Sequence, residues 1–124
     1  MIKKLLNWLK TKKQSTKLEA WFIVSWDDDY IYRNVSPPGH SAWKDQFRWS
    51  EIERICFETK DYLYSDDIYF FTSDRPESYV IPIEAKGGAE LWSLILEKNL
   101  FDPEYALKAL TSENGFFCWP SSES

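Results

Sequence analysis

Hydrophobic and polar residues alternate along three successive segments in the middle of the chain. These segments, at 53–59, 67–72 and 78–83, are rich in β-branched and aromatic residues. A period of two gives a β-strand two faces, so we predict three strands that each bury one face. The connections between them are too short for parallel crossovers, which indicates an antiparallel meander. One face carries Ile55, Phe57, Thr59, Ile68, Phe70, Thr72, Tyr79, Ile81 and Ile83, and the other carries Arg54, Cys56, Glu58, Tyr69, Phe71, Val80, Pro82 and Glu84.

Two further strands are predicted upstream, at 20–26 and 30–35. Asp27, Asp28 and Asp29 separate them and favour a hairpin turn, because Asp tolerates turn conformations and caps its own backbone. The segment SPPGHS at 36–41 predicts an irregular loop, since two prolines and a glycine cannot continue a strand. Residues 43–49 then lead into the central strands.

The pattern changes to a helical period after the central strands. Residues 89–98 predict one helix, and Asp102-Pro103 is a strong start for a second, with Asp at the N-cap and Pro at the first helical position. We expect this second helix to reach residue 112 and to bury Ala106, Leu107 and Leu110. A last short strand is predicted at 116–119.

Together these elements predict an α+β fold. We expect an antiparallel β-meander sheet of five to seven strands covered by two C-terminal helices, with a separate N-terminal amphipathic helix. Residues 18–120 are predicted to form a single domain, and residues 121–124 a disordered tail.

Residues 1–17 predict a basic amphipathic helix followed by a linker. Ile2, Leu5, Leu6 and Leu9 fall on one helical face, Trp8 flanks that face, and lysines surround it. The apolar stretch is too short to span a membrane and lacks the features of a signal peptide. Two interpretations stay open: the stripe docks on its own domain or on a second copy, or Leu5, Leu6, Trp8 and Leu9 insert into an anionic membrane surface.

Charge is distributed unevenly along the chain. The net charge is −5, but residues 1–17 hold six lysines and no acid, which leaves residues 18–124 with nine basic and twenty acidic side chains, a net −11. A body of this charge repels nucleic acid and attracts a basic partner. The many tryptophans are therefore interpreted as core or interface residues and not as base-stacking platforms, which need a cationic groove.

No constellation of residues predicts catalysis. The single histidine, His40, falls in the Pro-Gly loop, and Cys56, Cys118 and His40 lack the spacing of a zinc site. We therefore predict no metal, no cofactor and no enzymatic activity, with an enzyme as the weakest of three classes. Both cysteines are expected to be reduced, buried thiols in a cytoplasmic protein, with a disulfide as the alternative.

A longer pattern resembles a family of small bacterial proteins. The matching phrases lie within residues 47–120 and are WSEI, DDIYFF, YVIPIEAKGG, LFDPEYAL and GFFCWP. Such proteins include immunity partners of interbacterial toxins, so the resemblance implies a non-enzymatic inhibitor that binds a cognate, basic toxin. None of the phrases is a catalytic motif, and the resemblance implies fold more firmly than function.

The predicted partner site combines carboxylates at strand ends with tyrosines. Carboxylates speed the encounter with a basic partner, and packed aromatic rings slow its dissociation. The residues chosen on this ground are Asp27, Asp28, Asp29, Tyr30, Tyr64, Asp66, Asp67 and Tyr69.

Overall fold

Strands dominate the part of the chain that the structure describes. A computed structural model describes residues 18–60, 66–112 and 114–120. Its strands are β1 (Phe22–Trp26), β2 (Tyr30–Val35), β3 (Trp43–Arg48), β4 (Ile52–Glu58), β5 (Asp67–Thr72), β6 (Arg75–Pro82) and β7 (Phe116–Trp119). Its α-helices are α1 (Gly88–Glu97) and α2 (Pro103–Leu110), and turns of 3-10 helix lie at Leu18–Ala20 and Trp49–Glu51. The predicted N-terminal helix, Tyr64 and the predicted tail lie outside the described residues.

The strands form two antiparallel sheets. The first sheet has the order β1-β2-β3, and the second has the order β6-β5-β4-β7. The chain leaves the first sheet at the turn Trp49–Glu51, where the backbone N–H of Trp49 donates to the carbonyl of Asp29 at 3.1 Å. Strand β7 follows both helices and returns to pair with β4. The α+β class and the antiparallel pairing are confirmed, whereas the single continuous meander is wrong.

One hydrophobic core lies between the inner faces of the two sheets and helix α1. Phe47 of the first sheet stacks on Tyr79 of the second, with ring centroids 4.3 Å apart, and Leu91 and Ile95 of α1 are buried in the same core. Gly87 precedes α1 with φ +89°, and a Cβ there would stand 2.4 Å from the carbonyl oxygen of Val24. Glycine therefore lets the helix begin against β1. Of the two faces predicted from the alternation, the one that carries Ile55, Phe70 and Tyr79 lies in this core, and all of its residues are buried except Ile83.

Helix α2 buries Ala106, as predicted, but it exposes the two leucines that were expected to be buried. Leu107 and Leu110 are 63% and 69% exposed, while Ala106 and Ala109 are buried. The helix begins as predicted, with the Asp102 side chain accepting a hydrogen bond from the Tyr105 N–H. Its small alanine side chains allow the helix to lie close to its neighbours, so the contact face falls on them and the two larger leucines are turned to solvent.

The two cysteines form a disulfide, and the expectation of reduced thiols is wrong. Cys56 of β4 and Cys118 of β7 stand directly opposite in the antiparallel register and are joined by a bond of 2.04 Å. They are 62 residues apart in the sequence. Their proximity arises from the β4–β7 pairing, which the local sequence pattern does not indicate.

A buried arginine joins the two sheets. Arg33 of β2 is only 8% exposed, and its guanidinium donates to both carboxylate oxygens of Asp45, at 2.9 and 2.6 Å. A third hydrogen bond, of 2.9 Å, reaches the carbonyl of Val80 in the second sheet. The guanidinium carbon also lies 4.8 Å from the ring centroid of Trp43 and 5.2 Å from that of Tyr79. One side chain thus binds both sheets.

Replacing Arg33 by methionine is expected to destabilise the fold. Removing one partner of a buried ion pair leaves the other uncompensated at a cost of ~3–5 kcal/mol, and we expect the lower end because the Asp45 side chain is 30% exposed. Chemical denaturation measures this loss. The double variant R33M/D45L should recover most of it, and Arg48→Met, at an exposed cation–π contact with Tyr30, is the matched control. An R33M protein as stable as the R48M control would contradict the role given to Arg33.

Removing the disulfide is expected to cost about 4 kcal/mol of unfolding free energy, because the bond closes a long loop and so restricts the unfolded chain. The variant is C56A/C118A, measured by denaturation against the wild type with and without reductant. The reductant should lower the stability of the wild type and leave the variant unchanged. Equal stability of the oxidised wild type and the variant would show that the bond contributes nothing.

Candidate protein-binding face

The second sheet turns one face away from the core. Side chains alternate along each strand, so every second residue of β4, β5, β6 and β7 lies on this side, which we call the outer face. The strand registers arrange it in rows. The first row is Phe116, Glu58, Asp67 and Pro82, and the second is Cys118, Cys56, Tyr69 and Val80; beyond them, Arg54 of β4 pairs with Phe71 of β5.

Uncharged groups form the second row of the outer face, and Phe116 lies beside them at the β7 end of the first row. Phe116 is 54% exposed, and its ring meets that of Tyr69 edge-on with centroids 5.4 Å apart. The Cys56–Cys118 disulfide lies in the same row as Tyr69 and Val80, so uncharged groups cross all four strands. Phe116 is the exposed member of this group, Tyr69, Val80 and Cys118 are half-buried and Cys56 is buried. An apolar surface bordered by charged residues is the usual composition of a protein-interaction site.

One margin of the outer face is acidic. Glu58 accepts a hydrogen bond of 2.6 Å from the Tyr69 hydroxyl, and Asp67 accepts one of 2.8 Å from the Lys60 ammonium group. Asp66 caps the backbone N–H of Lys60 at 2.9 Å. Burial, followed by the bond to Glu58, raises the pKa of Tyr69, so its hydroxyl stays protonated and donates. Three carboxylates face one ammonium group here, and this margin keeps a negative excess.

The opposite margin carries two arginines. Arg54 and Arg75 line a pocket of about 290 Å³, together with Glu53, Phe71, Thr72 and Pro76. Main-chain carbonyls hold both guanidinium groups. Arg54 donates to the carbonyl of Pro120 at 3.0 Å, and Arg75 donates to those of Glu77 and Ser78 at 3.0 and 3.1 Å. The outer face therefore runs from an acidic row, through an uncharged row, to Arg54 and Phe71 at the pocket.

The first sheet has a different outer face. Its outward residues, taken from the same alternation, are mostly polar: Ile23, Ser25, Tyr30, Tyr32, Asn34, Lys44, Gln46 and Arg48. Arg48 lies over the ring of Tyr30 at 4.6 Å, and the hydroxyl of Tyr32 donates to Asp27 at 2.5 Å. Internal contacts of this kind are typical of a solvated face, so we place the candidate site on the second sheet.

The structure separates the two acidic clusters chosen from the sequence. Asp27, Asp28, Asp29 and Tyr30 lie at the β1–β2 turn beside Trp49, whose indole N–H donates to the carbonyl of Asp27 at 2.9 Å. Asp66 and Asp67 lie at the other end of the β4–β5 ladder, about 20 Å away for six residues of strand. Asp66, Asp67 and Tyr69 come together on the outer face, whereas the β1–β2 turn forms a separate surface.

Sequence reasoning missed four residues of the outer face, namely Arg54, Glu58, Arg75 and Phe116. Phe116 enters it only through the pairing of β7 with β4. The predicted alternation places Arg54 and Glu58 on the face of β4 opposite to Ile55 and Phe57. That alternation was the signal that could have identified them. Arg75 joins them through the β5–β6 hairpin, which begins earlier than predicted.

Within the described ranges, no group of three or more His, Cys, Asp and Glu side chains is placed to hold a metal ion. His40 is exposed in its loop, as its sequence context predicts. None of the helices in these ranges has the length and apolar character needed to cross a membrane.

Asp27 is expected to stabilise the β1–β2 turn in a pH-dependent way. The Tyr32 hydroxyl, followed by the backbone N–H groups of Tyr30 and Asp29, lowers the pKa of this carboxyl. A lowered pKa in the folded state gives stability that is present above the unfolded pKa of about 3.9 and is lost as the pH falls through the folded value. Asp27→Asn should therefore unfold more easily than the wild type at neutral pH, with the difference shrinking in acid.

Denaturation at several pH values measures this difference. Asp28→Asn is the matched control, because the neighbouring Asp28 is exposed. A difference between Asp27→Asn and wild type that does not change with pH would contradict the assignment.

Comparisons of the chain with protein-family models, with curated proteins and with solved structures found no match. The resemblance to small bacterial immunity proteins therefore stays a prediction from the sequence.

Proposed function

We propose that this protein is a non-enzymatic inhibitor that neutralises a protein toxin by binding it through the outer face of the second sheet. The observation that carries the proposal is the apolar strip of that face, with the half-exposed Phe116 above Tyr69 and charged residues on both margins. Aromatic residues held on a rigid sheet are efficient anchors, since little side-chain freedom is lost when a partner covers them.

The charge of the chain favours a basic partner. Residues 18–124 carry a net −11, which accelerates the approach of a basic protein and disfavours nucleic acid. At the acidic margin, Lys60 lies 2.8 Å from Asp67 and 4.0 Å from Glu58. A cationic side chain of the partner can replace or join Lys60 there, because three carboxylates surround a single ammonium group.

The inhibitory role comes from the resemblance described above, and the surface supports binding in general. An inhibitor needs only to cover the active or membrane-entering part of a toxin, for which an anchored face is sufficient. The proposal thus keeps the predicted acidic and aromatic character of the site. It moves the site to Asp66, Asp67, Tyr69, Glu58 and Phe116.

The disulfide is relevant to the compartment in which the protein meets its partner. Disulfides persist in oxidising compartments and are rare in the cytosol. The cytoplasmic location stays a prediction, and the bond between Cys56 and Cys118 counts against it. The membrane-surface alternative depends on Leu5, Leu6, Trp8 and Leu9, which lie outside the described residues.

Substitutions on the outer face are expected to weaken toxin binding. Phe116→Ser removes the exposed anchor and should raise the dissociation constant by about tenfold or more, the scale of an interface hot spot. E58Q/D67N should weaken binding about tenfold at low salt and less at high salt, because exposed charges are screened. The measurement is co-expression and titration with the toxin encoded beside this protein, scored by growth and by affinity.

Two variants serve as controls for this experiment. Leu107→Ser removes an apolar group of similar or greater exposure on helix α2, and D28N/D29N removes two carboxylates from the separate β1–β2 turn. Both should bind like the wild type. If Phe116→Ser protects and binds as well as Leu107→Ser, the outer face is not the site; if D28N/D29N alone is impaired, the site lies at the turn.

A further inference from the structure

Among the described residues, the two sheets end in four edge strands, of which β7 is the least protected. An edge strand presents unpaired backbone N–H and C=O groups to any other extended chain, and charged residues, prolines or a covering segment normally block it. Strand β6 contains Pro76 and Pro82, and β3 contains Lys44 and Arg48. Strand β1 is covered at Lys86, whose N–H and carbonyl each bond to the β1 main chain at 2.9 Å. Strand β7, with the sequence FFCW, has no charged residue, proline or covering segment in the part of the chain that the structure describes.

The pairing with β4 decides which backbone groups of β7 point to the open edge. In an antiparallel ladder, hydrogen-bonded pairs alternate with non-hydrogen-bonded pairs, whose Cα atoms stand closer together. The N–H of Thr59 donates to the carbonyl of Gly115 opposite it at 2.9 Å, so the next pair, at Phe116, is not hydrogen-bonded. The Cα atoms of Cys56 and Cys118 are only 3.9 Å apart, which marks a second pair of that kind. The N–H and C=O groups of Phe116 and Cys118 therefore point away from β4.

These groups are complementary to their own copies about a two-fold axis that passes between Phe117 and the Phe117 of a second molecule. Phe116 of one copy then stands opposite Cys118 of the other, and the two such pairs exchange four main-chain hydrogen bonds. Phe116 and Cys118 both lie on the outer face, so this register keeps side chains on matching faces. On the inner face Trp119, which is 39% exposed, comes opposite Gly115 of the other copy, over which the ring of Phe117 lies. Aromatic rings therefore line both faces of the pairing.

Charge sets the conditions under which two copies pair. The chain carries a net −5, and residues 18–124 a net −11, which repels a second copy. In the antiparallel register, the row of Glu58 and Asp67 in one copy continues into the uncharged row of Cys118 and Tyr69 in the other. The two Glu58 residues are then three strand spacings apart, about 14 Å or more. This separation exceeds the Debye length of about 8 Å at physiological ionic strength, so salt removes much of the repulsion.

We propose that β7 is a self-association edge, through which two copies pair antiparallel and join their four-stranded second sheets into one continuous sheet. A second copy is the occupant that the edge fits, because β7 has no charge with which to select a basic partner and the two-fold register satisfies all four of its open groups. A strand of four residues buries less surface than a stable dimer needs, so the dimer is weak and forms reversibly. The assignment stands apart from toxin inhibition.

Sedimentation velocity and amide hydrogen exchange of the isolated full chain test this proposal. The mean mass should rise towards that of a dimer across the micromolar to millimolar range, and more steeply at high salt than at low salt. The amides of Phe116 and Cys118 should exchange rapidly in dilute protein and become protected as the concentration rises. The Phe117 amide lies in a hydrogen-bonded pair with β4, and it should be protected at every concentration.

Phe116→Ala and Phe116→Pro separate the ring from the backbone. Both variants lose the ring, but only proline lacks the N–H that points to the open edge, where a sheet tolerates it. Phe116→Pro should dimerise about tenfold more weakly than Phe116→Ala, since two hydrogen bonds of the dimer are lost. Leu107→Ser is the matched control, because Leu107 is a similarly exposed apolar residue on helix α2, and it should dimerise like the wild type.

A wild-type protein that stays monomeric at millimolar concentration and high salt overturns the proposal. A dimer overturns it too if the Phe116 and Cys118 amides stay unprotected, or if Phe116→Pro dimerises as readily as Phe116→Ala. The wild-type exchange pattern decides the question even if Phe116→Pro does not fold. If the two amides become protected only when a toxin is added, the edge takes a strand of that partner and self-association is wrong. These measurements need no toxin, so self-association and the proposed inhibitory function can fail separately.

Discussion

The contact of Arg33 with both sheets is the interaction on which the arrangement of this protein depends. A guanidinium group within a hydrophobic core is unfavourable unless all of its surroundings accommodate it. Asp45 takes two of its hydrogen bonds, Val80 takes a third, and Trp43 and Tyr79 cover its planar faces. These partners come from two strands, β3 in the first sheet and β6 in the second, so the guanidinium group has all of them only when the sheets meet in this alignment. The hydrophobic contact of Phe47 with Tyr79 lies beside it and excludes water.

Once the inner faces are occupied in this way, each sheet has one face left. The remaining face of the first sheet is polar, and its two tyrosines, Tyr30 and Tyr32, contact Arg48 and Asp27. The remaining face of the second sheet, the outer face, carries Phe116, Tyr69, Val80 and the disulfide. Exposed apolar groups on a sheet promote association between copies, and the large negative charge of residues 18–124 opposes it. The difference between the two faces is the strongest structural argument for placing a partner on the second sheet.

Local patterns were sufficient to predict much of the second sheet and little of its surface. The alternation in β4, β5 and β6 identified the buried residues, because period two is a property of each strand alone. The pairing of β7 with β4 depends on contacts between distant residues, and the disulfide and the place of Phe116 depend on that pairing. Helix α2 shows a different limit of prediction from local sequence patterns. Its period selected Ala106, Leu107 and Leu110, but close packing favoured the small Ala106 and Ala109 and left both leucines exposed. Asp28 and Asp67 look equivalent in the sequence but lie at opposite ends of the fold. Their positions depend on strand pairings between distant residues, which local patterns do not show.

The charges at the two ends of the outer face have opposite signs, and this restricts the orientation in which a partner can bind. Its acidic row and its arginine row are four residues apart along β4, about 13 Å. A partner segment that places a cation against Glu58 and Asp67 and an anion against Arg54 and Arg75 is attracted at both margins. The same segment turned end to end meets like charges at both margins, at a cost that can reach several kcal/mol. The apolar strip alone would accept either orientation, because hydrophobic contact has no direction. In the proposed binding mode, the charged rows therefore supply the selectivity, and Phe116 and Tyr69 supply apolar contact.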